Sequence, residues 1–285
     1  MFNKKIILFF IVLFSSMALV ANVSLKQENL EIFEVMGNKA KIAKGNLAIG
    51  QSGIINHKIG KNNSIILASA EVIETYNSYS VIQINKFNDL LQEAIPNTTR
   101  KVQNKDIFIL NYLYSASLLI APNQDSFINI RQVFSTHNFV HSDIFASHLK
   151  IEGEPFPSKE FIKEYTTKEN IGTIFYAIDQ RVYIFDAKSF KKIASFTFPY
   201  DEEEAQLPFY TRVEKIEEGQ FSWLKGLSWE SMAKMLRTFG FLPKENEYDE
   251  YELEDEDGNI IENSNLTVTE QYNLYYIKFL GLADD

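Results

Sequence analysis

The chain has 285 residues, 45% hydrophobic, with a formal net charge of −10 and no cysteine. That composition excludes disulfides, thiolate metal sites, a catalytic cysteine and a lipid-modified N-terminal cysteine, so the fold must be held by its cores alone. The charge is uneven: residues 201–285 hold 21 acidic and 7 basic side chains, while residues 1–200 hold 17 and 21, and neither part offers the basic, aromatic-studded patch of a nucleic-acid binder.

Met1–Ala21 has the layout of a secretory signal peptide. Lys4 and Lys5 precede the apolar run Ile6–Phe14, and small residues follow that suit cleavage after Ala18 or Ala21. The apolar run is short for a spanning helix, which needs roughly 17–25 residues. The mature protein is therefore expected to be exported.

Residues 22–87 predict a small β-barrel. Alternating runs break at Gly37, Gly45, Gly50, Gly53 and Gly60, where glycine is expected to supply positive-φ corners, and further strands follow at Ser64–Val72 and Tyr79–Ile84. Residues 88–105 turn helical at Asp89–Ala94, break at Pro96 and run polar, as a linker would.

Over 106–200 strands alternate with helices, the pattern of a layered α/β domain. Strands are expected at Asp106–Ile109, Tyr112–Ala121, Asn138–His141, Ile171–Ile178, Val182–Phe185 and Ile193–Phe198. Helices are expected from Asp125 or Ser126 to Phe134, from Ser142 or Asp143 to Lys150, and from Pro157-Ser158 to Lys168. Ile171–Ile178 is nearly all apolar, as in a strand covered on both faces.

Residues 201–285 form an acidic, aromatic C-terminal region. Trp229–Phe239 has helical spacing, ten acids lie between Glu245 and Glu262, and Thr269–Leu282 is an amphipathic helix with Tyr272, Tyr275, Tyr276, Phe279 and Leu280 as its packing stripe. The fold class is thus mixed α+β: a barrel, a layered domain and a helical acidic tail.

Chemical motifs are weak throughout. His137, His141 and His148, with Asp143, would line one face of a continuous helix and make a metal enzyme conceivable. A helix restarting at Ser142 scatters them instead, and that is the favoured reading; His57 reads as a packing or surface residue. Gly50-Gln51-Ser52-Gly53 lacks the second glycine of a nucleophile elbow, and Gly60-Lys61 lacks the upstream glycine of a phosphate loop. Around Asp255-Glu256-Asp257-Gly258 a calcium loop would need oxygen ligands where Leu253 and Ser264 stand, so an Asp257-Gly258 turn fits better. Phe209, Phe221, Trp223 and Trp229 form an aromatic-rich patch suited to core packing or binding. No catalytic, cofactor or metal residue is assigned, and no enzyme activity is expected.

Three ordered blocks carry a resemblance. GNKAKIAKGNLAIGQSGIINH with SIILASAEV, then IGTIFYAIDQRVYIFDAKSFKKIASF, then PFYTRVEKIEEGQFSW with YNLYYIKFLGL, resemble the plasminogen-binding protein PgbA N-terminal domain family. The resemblance implies an exported binding protein of the cell envelope, in the periplasm or at the surface, with host plasminogen as its partner. It also implies a lysine that enters a kringle pocket, where carboxylates take the ammonium and aromatic walls take the stem. The chain closes on Ala283-Asp284-Asp285, so the expected contact is an internal lysine: Lys163 beside Glu164, Lys168 beside Glu169, or Lys278. The alternative is a periplasmic structural or assembly component of the envelope.

Overall fold

A computed structural model describes residues 24–61, 63–89, 98–135, 137–154, 156–200, 205–213 and 267–282. The expected signal peptide, most of the expected Asp89–Ala94 helix, Trp229–Phe239 and the acidic run lie outside them. Among the described residues no helix is long and apolar enough to cross a membrane. They fall into two compact units, one within Met1–Leu119, Phe134–Val140 and Phe161–Pro199, the other within Ile120–Val133, His141–Glu160 and Tyr200–Asp285.

The first unit contains a closed barrel of six antiparallel strands: β1 (Glu28–Met36), β2 (Lys39–Ile42), β3 (Ser52–Lys58), β4 (Ser64–Thr75), β5 (Ser80–Asn85) and β6 (Ile107–Leu110). Their order around the barrel is β1-β2-β5-β4-β3-β6. The period-2 alternation dictates the interior: Ala40 and Ile42 from β2, Ala68, Ala70 and Val72 from β4, and Phe108 and Leu110 from β6 point inward with Ile32, Ile55 and Ile82. Fully burying each large apolar side chain stabilises the fold by roughly 1.5–3 kcal/mol. Three inward alanines leave the volume that Phe108 and the isoleucines fill.

Strand β6 differs from the sequence expectation. Its residues had the look of the first strand of the α/β region, yet Phe108 pairs with Leu30 of β1 and Ile55 of β3, so it closes the barrel. Without it β1 and β3 would each present an unpaired backbone edge, the arrangement that closure removes.

The glycines also work differently from the expected set of corners. Gly37 and Gly50 have positive φ (64° and 98°), whereas Gly45, Gly53 and Gly60 do not. Gly37 opens the two-residue turn between β1 and β2, the position that a type II′ turn reserves for glycine. Gly53 lies inside β3, where a Cβ would sit 2.1 Å from the Ile109 carbonyl oxygen. It is there for close approach to β6 and not for a bend.

The second sheet has the order β11-β10-β9-β7-β8, formed by β7 (Ala116–Ile120), β8 (Asn138–Val140), β9 (Thr173–Ile178), β10 (Arg181–Asp186) and β11 (Lys192–Thr197). β7 and β8 run parallel, and β9, β10 and β11 form an antiparallel meander. Every residue of β9 is buried, as its continuous apolar run requires. Four helices stand among the described residues: α1 (Gln124–Val133), α2 (Ser142–Glu152), α3 (Lys159–Lys168) and α4 (Val268–Leu280).

Helix starts fall one or more residues upstream of the expected caps at two places. Asn123 caps α1, its Oδ1 accepting from Ser126 N at 2.9 Å. His141 caps α2, its Nδ1 accepting from Asp143 N at 3.2 Å, which leaves Ser142 buried inside the first turn. α4 starts with a reciprocal capping box between Thr267 and Glu270 and stops at Gly281 in the left-handed region.

The second unit is aromatic inside. Phe145 of α2 stacks on Phe209 at 5.4 Å, Phe127 of α1 tilts against Tyr210, and Phe156 meets Tyr275 edge-on. Tyr272, Tyr275, Tyr276 and Leu280 form the buried stripe of α4, with Phe279 half-buried and stacked on Tyr275. The Tyr276 hydroxyl donates to the Pro208 carbonyl at 2.8 Å, giving the ring's polar tip a partner.

Candidate functional site

Asp186 is a buried carboxylate that accepts five hydrogen bonds from protein donors. It ends β10, where the chain folds back toward β11, and it is fully buried. Its Oδ1 accepts from the backbone of Lys188 (2.9 Å) and Ser189 (2.6 Å), closing the turn. Its Oδ2 accepts from Ser52 N (3.0 Å), Ser52 Oγ (2.5 Å) and the Tyr114 hydroxyl (2.6 Å). Ser189 Oγ in turn donates to the Gly50 carbonyl at 2.8 Å. One carboxylate thereby joins the start of a barrel strand, the turn before β7 and the hairpin of the second sheet.

Burial pushes the Asp186 carboxyl above its ordinary range, and the Ser52, Tyr114 and Ser189 donors pull against that. Burial, the adjacent carboxylate and their hydrogen bond hold the Tyr114 hydroxyl well above its usual value, so it stays a donor. Ser52 meets a carboxylate here and not an imidazole, and the cleft beside it measures ≈ 70 Å³, small against the roughly 300–1,000 Å³ of ligand pockets. The arrangement is a clasp. Nothing in the sequence motifs pointed to Asp186 or Tyr114; the one local signal is Asp186-Ala187-Lys188-Ser189, an Asp opening a turn at the end of an apolar strand.

His137 and His141 are each accounted for locally. His137 lies in the bend before β8, its ring against Phe134, Phe139 and Phe175, and burial lowers its pKa. His141 is spent on the α2 cap, and burial lowers its pKa too. Asp143, the expected fourth ligand, is engaged instead by the Arg212 backbone N (2.8 Å) and Nε (2.9 Å) and by Thr211 Oγ1 (3.0 Å). Burial works against its ionisation, but those donors outweigh it and hold its pKa below the usual carboxylate range. His148 follows on α2. Among the described residues no three His, Asp or Glu side chains converge on a point.

The expected partner lysines lie on two helices. Lys163 of α3 is half-buried with its ammonium 5.7 Å over the Phe190 ring, a cation–π position. Lys168 is the exposed last residue of α3, followed by exposed Glu169. The two lysines are five positions apart on the helix, which turns them about 140° from each other. Lys278 is exposed in the last turn of α4. Phe209 is buried in the second unit, whereas Phe221, Trp223, Trp229 and the Asp257-Gly258 turn lie outside the described residues.

Comparison with known proteins gives one consistent result. The model of the family "Plasminogen-binding protein pgbA N-terminal" matches residues 27–233. Plasminogen-binding protein PgbA of Helicobacter pylori, from strain J99 and from strain 26695, is 21% identical to this chain over 174 residues in each case. The matched stretch is 61% of this chain and 38% of each relative, so the chain corresponds to well under two thirds of their length.

Proposed function

This chain belongs to the plasminogen-binding protein pgbA N-terminal family, and from that premise we propose that it is an exported, non-enzymatic binding protein of a bacterial cell envelope whose partner is plasminogen. The family is named for binding. The charged start and apolar run of Met1–Ala21 support export. The Asp186–Ser52 contact, the nearest thing to a catalytic pair, is saturated with structural donors and favours a binding role over hydrolysis.

Lys168 carries the reading. A kringle pocket needs an ammonium that can leave its own surface, with its stem free to enter between aromatic walls. Lys168 is exposed at a helix end beside Glu169, whereas the Lys163 ammonium lies on Phe190. Full-length protein immobilised on beads is expected to retain plasminogen and to release it on adding ε-aminocaproate. Absence of retention, or retention indifferent to that lysine analogue, overturns lysine-mediated capture.

A second reading is a periplasmic structural or assembly component. The Asp186 clasp favours it, because it makes barrel and second sheet one stiff piece suited to scaffolding. Protease applied to intact cells separates the two readings: cleavage supports surface capture, and protection with release in the periplasmic fraction supports the scaffold.

A further inference from the structure

The open rim of the barrel carries a small basic pocket whose geometry is set by a buried carboxylate. Asn56 of β3 pairs with Ile107 of β6, which places His57 directly across from Asp106. His57 Nδ1 lies 2.7 Å from Asp106 Oδ1, and Asp106 is almost fully buried. Asp106 Oδ2 accepts from Gln103 N at 2.8 Å, which ties down the segment that brings Arg100 over the ring. Arg100 Nη1 then lies 3.0 Å from His57 Nε2. A guanidinium only donates, so Nε2 is the acceptor toward Arg100 and Nδ1 is the donor toward the carboxylate. Asp106, His57 and Arg100 form an ordered series that orients the guanidinium plane.

His57, Arg100, Lys101, Val102 and Gln103 line an open cleft of ≈ 320 Å³, inside the size range of small-ligand sites. Arg100 and Lys101 are exposed there, in a chain whose net charge is −10. One Arg100 amino group is spent on His57, and the rest of its fork has no further partner among the described residues. A planar fork beside a point-charge ammonium suits a phosphate, which offers several acceptor oxygens and more than one negative charge.

We propose that the pocket of His57, Arg100 and Lys101 binds a phosphate group, with Arg100 and Lys101 as its contacts and the His57–Asp106 pair positioning Arg100. The site shares no residue with the lysines assigned to plasminogen and stands or falls apart from that reading. A free phosphomonoester and a lipid headgroup present the same chemistry. The full chain is therefore titrated with glycerol 3-phosphate by NMR, and separately mixed with vesicles of phosphatidylcholine alone or in equimolar mixture with phosphatidic acid. Saturable shifts at His57 and Arg100 with glycerol 3-phosphate identify the soluble source, and binding confined to the phosphatidic acid vesicles identifies the headgroup. In either case Arg100→Gln and Lys101→Gln, both exposed positions, are each expected to weaken binding about tenfold, the loss of a strong charge-assisted pair. Binding unchanged in the double variant, equal displacement by chloride at matched ionic strength, or no binding to either probe overturns the proposal.

Discussion

Ser52 and Asp186 meet twice, through the Ser52 backbone N–H at 3.0 Å and its hydroxyl at 2.5 Å, both on the same carboxylate oxygen. The contact spans 134 positions of sequence and is sealed from water. Asp186→Ala would leave three backbone N–H groups and the Ser52 and Tyr114 hydroxyls without their acceptor. Each buried donor left unmade costs about 1–3 kcal/mol, so the variant is expected to lose about 3 kcal/mol or more in urea unfolding. Tyr114→Phe removes one donor and leaves the others served, and should cost only about 1 kcal/mol. Equal, small losses in both variants would refute the clasp.

The barrel glycines give a graded test. At Gly53 an added Cβ would press on the Ile109 carbonyl at 2.1 Å and the Phe108 ring at 2.8 Å, and the β6 backbone has nowhere to retreat in a closed barrel. Gly53→Ala should destabilise by about 2 kcal/mol or more. Gly37 has open space around it but a φ of 64°, so Gly37→Ala should cost about 1 kcal/mol in backbone strain alone. Gly60 has neither restriction, and Gly60→Ala should change stability by less than about 0.5 kcal/mol. Thermal melting of the three variants reads the order directly.

That gradation marks what could be read from the residues and what could not. Alternation along KAKI and IFIL states that these are half-buried strands, because a pleated strand must sort its side chains by face. It does not state which neighbours they take. Ile107–Leu110 has the same pattern as a sheet strand, and only the unpaired edges of β1 and β3 decide that it closes a barrel. Asp186 was invisible for a related reason. A carboxylate at the end of an apolar strand is tolerable only if donors reach it, and here Ser52 and Tyr114 reach it from far away in sequence. The helix caps lay closer to hand: Asn123 and His141 stand one to three positions before the residues expected to cap, a shift close to ordinary end fraying.

The cap of α2 should make stability fall in mild acid. His141 Nδ1 must hold a lone pair to accept from Asp143 N, and burial lowers its pKa below the ordinary 6.5. The unfolded chain therefore takes up the proton first, so the stabilisation is full above pH 6.5 and is lost as pH falls below it. Asp143, with its pKa held below 3.8, adds a loss of the same sign only at lower pH. Asp186 has the opposite sign, because a raised carboxyl pKa favours the folded state at low pH and loses that contribution as pH rises from 3.8 through the folded value. His137 is shifted down as well, so the informative quantity is a difference between proteins. His141→Asn keeps a capping acceptor that does not titrate. Between pH 7 and pH 5 the unsubstituted chain should lose about 0.5–1 kcal/mol more than this variant. Parallel stability curves would show that the cap is not the titrating element.

If the chain captures plasminogen as proposed, capture should depend on Lys168 more than on Lys163. Both belong to α3, so a general effect of removing positive charge from that helix would weaken capture equally for either substitution. The kringle reading separates them, because a ligand lysine must extend its stem and ammonium into a pocket. Lys168 is exposed with a neighbouring carboxylate at Glu169, whereas withdrawing Lys163 from Phe190 forfeits a cation–π contact of about 0.5–1 kcal/mol. Lys168→Ala is therefore expected to reduce plasminogen retention about tenfold or more, and Lys163→Ala by less than about threefold. Lys168→Arg adds a control on shape: it keeps the charge but replaces the compact ammonium with a wider planar head, and should restore little. Surface plasmon resonance on immobilised plasminogen measures all three. Full rescue by arginine would point to a nonspecific charge effect, and a dominant loss at Lys278→Ala would move the contact to α4.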